Sequence, residues 1–265
     1  MKSPLSVAIK AAKEAGAILL EAYDGRDNTV TYKAHREPVS LADYASNDVI
    51  LRHLTRAFPD DHIVSEEIQG TAQDLRKGKV WIVDPLDGTS NFIAHIPLFA
   101  ITIARMENGI ATVAVIYDPV HGDMYTAERG KGAKLNGRLM HVSKRDVTIG
   151  AMFFAGRGYR DMDRMRHGRI IYALERRTPY FRRLGSAAIM LACVASGSAD
   201  AVILTGSKPW DTVAGSLLVE EAGGKISDYN GRTWTPRSID LIATNKLLHP
   251  HITAITKKER PTRAV

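Results

Sequence analysis

Apolar positions near the start of the chain recur with helical spacing: Leu5, Ala8, Ile9, Ala12, Ala15, Ile18, Leu19 and Ala22 share one face of a helix from Leu5 to Tyr23. Asp24-Gly25 stops it. Val30 to Lys33 reads as a short strand, followed by a turn at Arg36-Glu37-Pro38. Ser40 or Asp43 opens a second helix that runs to about Phe58. His62 to Ser65 and Val80 to Val83 read as strands, and acids follow each: Glu66-Glu67 after the first, Asp84 and Asp87 after the second. Gln69 to Lys79, polar and holding Gly70 and Gly78, reads as a loop between them.

Further on, Phe99 to Met106 and Ile110 to Tyr117 are β-rich runs separated by Glu107-Asn108-Gly109, a hairpin signal. Met124 to Thr126 continues the pattern and Asn136-Gly137 marks another turn. The first part of the chain is therefore expected to be helices on a mostly antiparallel meander. From Val147 strands and helices alternate: a helix opened by Leu184-Gly185-Ser186 and ending at Ser196, a strand from Ala199 to Leu204, a helix from Trp210 to Ala222, and strands at Lys225 to Ser227 and Leu241 to Thr244. A soft boundary falls near residue 145, dividing an α+β half (1–145) from an α/β half (146–265).

Composition changes this picture little. With 265 residues, 45% hydrophobic and 25% charged, the chain can bury a sizeable core. Its single cysteine, Cys193, sits in an apolar run and cannot form an internal disulfide, which suits a reducing compartment. No apolar run approaches the ~20 residues of a membrane span. Lys10, Lys13 and Glu14 break up any signal-peptide core, so the expected location is the cytoplasm. The net charge of +7 is largely local, because nine arginines crowd positions 157–183 (Arg157, Arg160, Arg164, Arg166, Arg169, Arg176, Arg177, Arg182, Arg183). Asp161, Asp163 and Glu175 are interspersed, as on a solvated mixed-charge helix face. Steering of a phosphorylated substrate, a subunit contact, or binding of RNA or a protein partner are the functional readings of the same residues.

The chemistry concentrates in three strings. The central one is Asp84-Pro85-Leu86-Asp87-Gly88-Thr89-Ser90-Asn91-Phe92. A rigid strand end holds carboxylates at fixed separation for a hard cation such as Mg²⁺, and Pro85 turns the chain between them. Gly88 lets backbone approach a ligand, and Thr89 is placed to cap a helix whose N-terminus favours an anion. Alone, such a string is also ordinary turn chemistry. The second string is Ser65-Glu66-Glu67. The third runs from Trp210-Asp211-Thr212 to Glu221-Ala222-Gly223-Gly224, with Asp211 at a helix start.

Together these strings resemble the inositol monophosphatase family of metal-dependent phosphatases, in order and over nearly the whole chain. The resemblance implies a layered α-β-α-β-α sandwich with the metal site between the halves, and commonly a homodimer. It assigns Glu66, Asp84, Asp87 and Asp211, with the Leu86 carbonyl, to two or three Mg²⁺ ions. Asp43 and Thr89 would orient the attacking water, and Glu67 would be a supporting acid near the metals. Gly88, Thr89 and Ser90 would hold the phosphate, Gly185 and Ser186 would face the substrate, and Lys33 falls where the family carries a loop lysine. Asn91-Phe92 matches the inositol branch. Leu204, however, stands where inositol phosphatases carry a glutamate that accepts substrate hydroxyls. The implied activity is thus hydrolysis of a small phosphate monoester, inositol 1-phosphate or a related sugar or polyol phosphate. Fructose 1,6-bisphosphate, histidinol phosphate and 3′-phosphoadenosine 5′-phosphate stay open as substrates.

Overall fold

The computed structural model describes residues 3–25, 30–32, 38–68, 75, 77–158 and 161–258. Helix α1 (Pro4–Gly25), strands β1 (Val30–Tyr32) and β2 (Pro38–Ser40), and helix α2 (Leu41–Ala57) come first. A seven-stranded sheet follows: β3 (His62–Ser65), β4 (Lys79–Asp87), β5 (Ala100–Glu107), β6 (Ile110–Asp118), β7 (Asp123–Glu128), β8 (Ala133–Leu135) and β9 (Arg138–Leu139), with short helix α3 (Thr89–Ile93) after β4. These strands are neighbours in chain order, antiparallel throughout except the parallel β3–β4 pair. The second sheet, ordered β11-β10-β12-β14-β13, comprises β10 (Phe153–Arg157), β11 (Phe181–Arg182), β12 (Ala201–Thr205), β13 (Lys225–Ser227) and β14 (Asp240–Thr244). Helices α4 (Asp161–Glu175), α5 (Ala187–Ala195), α6 (Pro209–Glu221) and α7 (His249–Lys258) complete the chain.

Alternation along the strands explains the layering. Trp81 and Val83 of β4, Ile101 and Ile103 of β5, and Val115 of β6 face the helices α1 and α2. Their neighbours Val80, Ile82, Ala104, Ala114 and Ile116 face α5 and α6, where they meet Val202, Leu204, Leu241 and Ala243 of the second sheet. The other face of that sheet, with Phe153, Ala201, Ile203 and Ile242, packs on α4 and α7. The result is the expected α-β-α-β-α sandwich. Small residues set the close approach of α1: Ala8, Ala11, Ala12 and Ala15 are fully buried, and a Cβ at Gly16 would stand 2.5 Å from the Tyr117 ring.

Three sequence expectations need correction. The strand at Val80 does not end at Val83; β4 runs on through Asp87, because Pro85 sits in a bulge where its missing N–H costs no ladder bond. Gly88, not Thr89, is the N-cap of α3, since the cap here requires φ +93°, which a threonine adopts only with strain. Asp163 is not on a solvated helix face; it is 6% exposed. Strand β11 and helix α7 had no expectation attached: α7 brings only two apolar residues, Ile252 and Ile255, to its core, beside Leu248 just ahead of the helix. Lys33, Arg36, Glu37 and residues 69–74 lie outside the described residues.

Candidate active site

The bulge in β4 organises the site. Asp84 pairs with Thr102 and Asp87 with Ala100, so β4 carries one residue more than β5 between these points. Strict alternation would send side chains three apart to opposite faces, and the extra residue rephases them. Asp84 and Asp87 thereby converge with Asp211 of α6, with carboxylate oxygens within 4.8 Å of one another. Asp84 accepts the Leu86 N–H at 3.0 Å. Asp211, third residue of α6, accepts the Lys208 N–H at 2.7 Å.

Asp87 is held from the other half of the chain. It accepts the Ser186 hydroxyl in a short hydrogen bond, and the N–H groups of Ala187 (3.2 Å) and Ala188 (3.0 Å) at the start of α5. Ser186 also caps α5, accepting from the Ile189 N–H at 3.1 Å. The fully buried Ser186 hydroxyl thus serves the scaffold. Asn91 adds a second strap, donating to the carbonyls of Leu98 and Leu184, both at 2.7 Å. Gly185 must lack a side chain, because a Cβ there would stand 2.8 Å from the Asn91 amide.

Beside the acids, the Thr89 hydroxyl lies 3.0 Å from the Leu86 carbonyl and 3.3 Å from Asp43 Oδ1. Asp43, third residue of α2, accepts both the N–H (2.8 Å) and the hydroxyl (2.6 Å) of Ser40. Burial pushes the Asp43 carboxyl up to about 7, with Glu67 and Glu66 adding repulsion against the lowering effect of Ser40. Burial raises Asp87 to about 6 despite its hydrogen bonds. Asp84 rises well above the usual carboxylate range through burial and then the charges of Glu66, Asp87 and Asp211. Asp211 rises likewise, through burial first, then Glu66 and Asp87. A cluster in which every acid resists ionisation is one that a bound cation would relieve.

These residues line a cavity of ≈350 Å³. Glu66, Asp84, Leu86, Asp87, Asp211 and the Gly88-Thr89-Ser90 turn form one part of its lining. Gly185 also reaches it, as do Gly156, Arg157, Gly158, Asp163, Leu204, Gly206, Ser207 and Lys208. Most site residues singled out in the sequence therefore meet in one place. Asp163, Met190 and the glycines of the second sheet were missed, and only the position of Asp163 as third residue of a helix, shared with Asp43 and Asp211, could have signalled it.

Homology decides the family. A model of the inositol monophosphatase family matches residues 1–260. The chain belongs to the inositol monophosphatase family. Members of this family are metal-dependent, typically on Mg²⁺, and the Asp84–Asp87–Asp211 cluster is suited to hold such an ion. Among its relatives, Nus factor SuhB of Xylella fastidiosa (strain Temecula1 / ATCC 700964) is 39% identical over 260 residues, covering 94% of this chain and 92% of that protein. Nus factor SuhB of Escherichia coli (strain K12) is 38% identical over 237 residues, 87% of each. Among solved structures, the extragenic suppressor protein suhB from Bartonella henselae superposes with a TM-score of 0.90 at 32% identity, covering 96% of this chain and 98% of that one. The inositol monophosphatase from Anabaena (Nostoc) sp. PCC 7120 gives 0.86 at 33% identity, covering 98% of both. Family membership supports a phosphatase.

Proposed function

We propose that the protein is a Mg²⁺-dependent phosphomonoesterase that hydrolyses a small sugar or polyol phosphate such as inositol 1-phosphate. The observation that carries this reading is the convergence of Asp84, Asp87 and Asp211 within 4.8 Å in a ≈350 Å³ cavity shared with Thr89. An all-oxygen set suits a hard cation, and the Glu66 carboxylate and Leu86 carbonyl are the further ligands in this reading. When bound, Mg²⁺ neutralises the phosphate and makes a water acidic enough to attack at neutral pH.

The chain's own groups do the rest. Thr89 Oγ1 has one proton and two acceptors, Leu86 O and Asp43 Oδ1, so its lone pairs are left to accept from the attacking water. A proton released from that water passes through Thr89 to Asp43, whose raised pKa of about 7 suits it to take a proton near neutrality. Glu67 supports this role by adding to the repulsion that, after burial, raises the Asp43 carboxyl. The turn Gly88-Thr89-Ser90 holds the phosphate, with Lys33 and Gly185 as further substrate contacts and Ser186 acting through Asp87. In this reading residues 1–145 bring most ligands and 146–265 bring Asp211 and the substrate side, in a cytoplasmic homodimer that sedimentation velocity would test.

The test is phosphate release from inositol 1-phosphate, fructose 1,6-bisphosphate, histidinol phosphate and 3′-phosphoadenosine 5′-phosphate, each with Mg²⁺ and with EDTA. Metal-dependent turnover of one ester far above the others, lost in Asp87→Asn, is the expected result. No metal-dependent turnover of any of them overturns the reading.

A second reading rests on the outer face of α4 and the turn that ends it, where Met165 and Tyr172 are 66% and 68% exposed among the exposed Arg164, Arg169 and Arg176. Cations interleaved with an aromatic suit single-stranded RNA or an acidic protein. The relatives named Nus factor SuhB bear the name of a factor rather than of a phosphatase. Retention on RNA that falls with salt, survives Asp87→Asn and is lost when Arg164, Arg169 and Arg176 become glutamine would establish it.

A further inference from the structure

Helix α3 has five residues and no stability of its own, so the turn at Gly88-Thr89-Ser90 is held by what α3 packs against. On one side Phe92 is fully buried, its ring centroid 5.6 Å from that of Tyr23 and 5.1 Å from that of Phe99. On the other, Asn91 is 9% exposed, and its amide nitrogen donates to the carbonyls of Leu98 and Leu184, both at 2.7 Å. Two carbonyl acceptors fix which way the amide faces, because only its nitrogen can donate, and both of its protons are used. Leu98 leads into β5, whereas Leu184, 93 residues away, leads into α5.

The segment that Asn91 grips is the one that grips Asp87. After Leu184 and Gly185 come Ser186, Ala187 and Ala188, whose hydroxyl and two N–H groups donate to the Asp87 carboxylate. The spacing leaves little slack. Gly185 sits at φ +80°, and a Cβ there would stand 2.8 Å from both the nitrogen and the oxygen of the Asn91 amide. A Cβ at Gly88 would stand 2.9 Å from the Leu98 carbonyl oxygen and 3.3 Å from Ser186 Cβ. The turn therefore lies between the same two segments that Asn91 ties together. Neither an aspartate nor a serine can replace the amide, because a carboxylate turns only oxygens on the carbonyls and a hydroxyl has one proton for two acceptors.

We propose that Asn91 is a positioning residue, holding the Gly88-Thr89-Ser90 turn and, through the start of α5, the Asp87 carboxylate at one fixed separation. The inference rests on the phosphatase reading, in which that turn takes the phosphate and Asp87 takes a cation. Asn91 acts on both through other residues. Without its two bonds, Phe92 still anchors α3 in the core and Asp87 still accepts from α5, but α3 is free to shift against α5. Groups that orient a metal ligand tune its affinity, so the expected consequence is a looser site in a chain that still folds.

The experiment measures Mg²⁺ binding by titration calorimetry, unfolding in urea, and phosphate release from inositol 1-phosphate across a range of Mg²⁺ concentrations. It compares the parent with Asn91→Ala, Gly185→Ala and Ile252→Ala. Loss of a group that supports a metal ligand predicts a Kd for Mg²⁺ about 10- to 100-fold weaker in Asn91→Ala. The Mg²⁺ concentration for half-maximal phosphate release shifts by the same factor. Gly185→Ala presses on the same amide from the other side and moves both values in the same direction, which keeps the test open if Asn91→Ala does not fold. Ile252→Ala, in the core under α7, loses stability but keeps the parent's affinity. Folded Asn91→Ala and Gly185→Ala with the parent's Mg²⁺ affinity overturn the inference and leave the phosphatase reading intact. So does an equal loss of affinity in Ile252→Ala, which would make instability the cause, and so does failure of both strap variants to fold. A parent that binds Mg²⁺ but releases no phosphate removes the phosphatase reading, and calorimetry alone then decides the role of Asn91. A parent that binds no Mg²⁺ overturns both.

Discussion

The two walls of the cavity are built by opposite means. The acidic wall comes from one unbroken string, Asp84 to Ser90, together with Glu66 and Asp211, and its geometry is made locally by a bulge, a left-handed cap and a helix start. The rest of the lining, with Gly156, Gly158, Asp163, Met190, Leu204 and Gly206, is gathered from two strands, the turns that follow them and two helices, and none of these residues neighbours another in the chain. Chemistry that needs several oxygens at fixed separation is favoured by short, rigid connections, so it is written locally. Selectivity needs only a shape and a few donors or acceptors, and packing supplies those from anywhere.

The largest effects are expected on the acidic wall. Asp84→Asn should lower kcat by about 10³-fold or more, because a metal ligand contributes several kcal/mol to the transition state. The same substitution should raise the melting temperature of the metal-free protein, since it removes a carboxyl whose ionisation is opposed by burial and then by Glu66, Asp87 and Asp211. Mg²⁺ should raise the parent's melting temperature, by the equivalent of about 2.7 kcal/mol at a hundred times Kd, and should leave the variant nearly unmoved. A metal-free variant that melts below the parent would show that mutual repulsion does not govern this cluster.

Gly88→Ala is expected to come next, with a loss of about 1–3 kcal/mol of stability measured by denaturant unfolding. Its Cβ would meet the Leu98 carbonyl at 2.9 Å while the backbone stays at φ +93°. An unchanged unfolding midpoint would mean that the turn relaxes freely and that the cap does not hold the acidic wall in shape.

The smallest effect concerns pH and sets the site against the packing beyond it. Asp43 and Asp87 carry folded pKa values of about 7 and about 6, so without metal the folded chain binds protons first. Their contribution to stability rises as pH falls through those values. His249 acts in reverse. Burial, with Lys225 and Lys257 nearby, lowers it to about 4, and its ring lies 3.0 Å from Thr244 Oγ1 and 2.9 Å from Ser227 Oγ. The unfolded chain takes that proton near pH 6.5, so stability is lost between about 6.5 and 4. His249→Gln should flatten that loss in melting curves, and an identical slope in parent and variant would rule this histidine out as its source.

Much of this molecule was legible before its fold was known. The helical face of α1, the Asn108-Gly109 hairpin and the strand at Lys225 to Ser227 follow from periodicity and turn chemistry, which act over a few residues. The path of β4 through Pro85 was not legible, because a proline reads as a break unless a bulge in the partnered sheet accommodates it. Nor was the burial of Asp163. In the sequence it is one charge among many arginines, and Gly158 and Gly206 pack against it only once the strand ends are in place.

By itself, then, the sequence determined the reactive groups and the helices and strands that present them, since carboxylate strings, caps and hydrophobic periods are local properties of the chain. Tertiary structure alone decided how Asp211 joins the acids of β4 and what lines the rest of the cavity. Asp87 reaches the start of α5 across a separation of 101 residues. Leu204 and Asp163 become neighbours of the same cavity only once two sheets stack around α5 and α6. Contacts of that kind depend on three-dimensional packing, which no short stretch of sequence encodes.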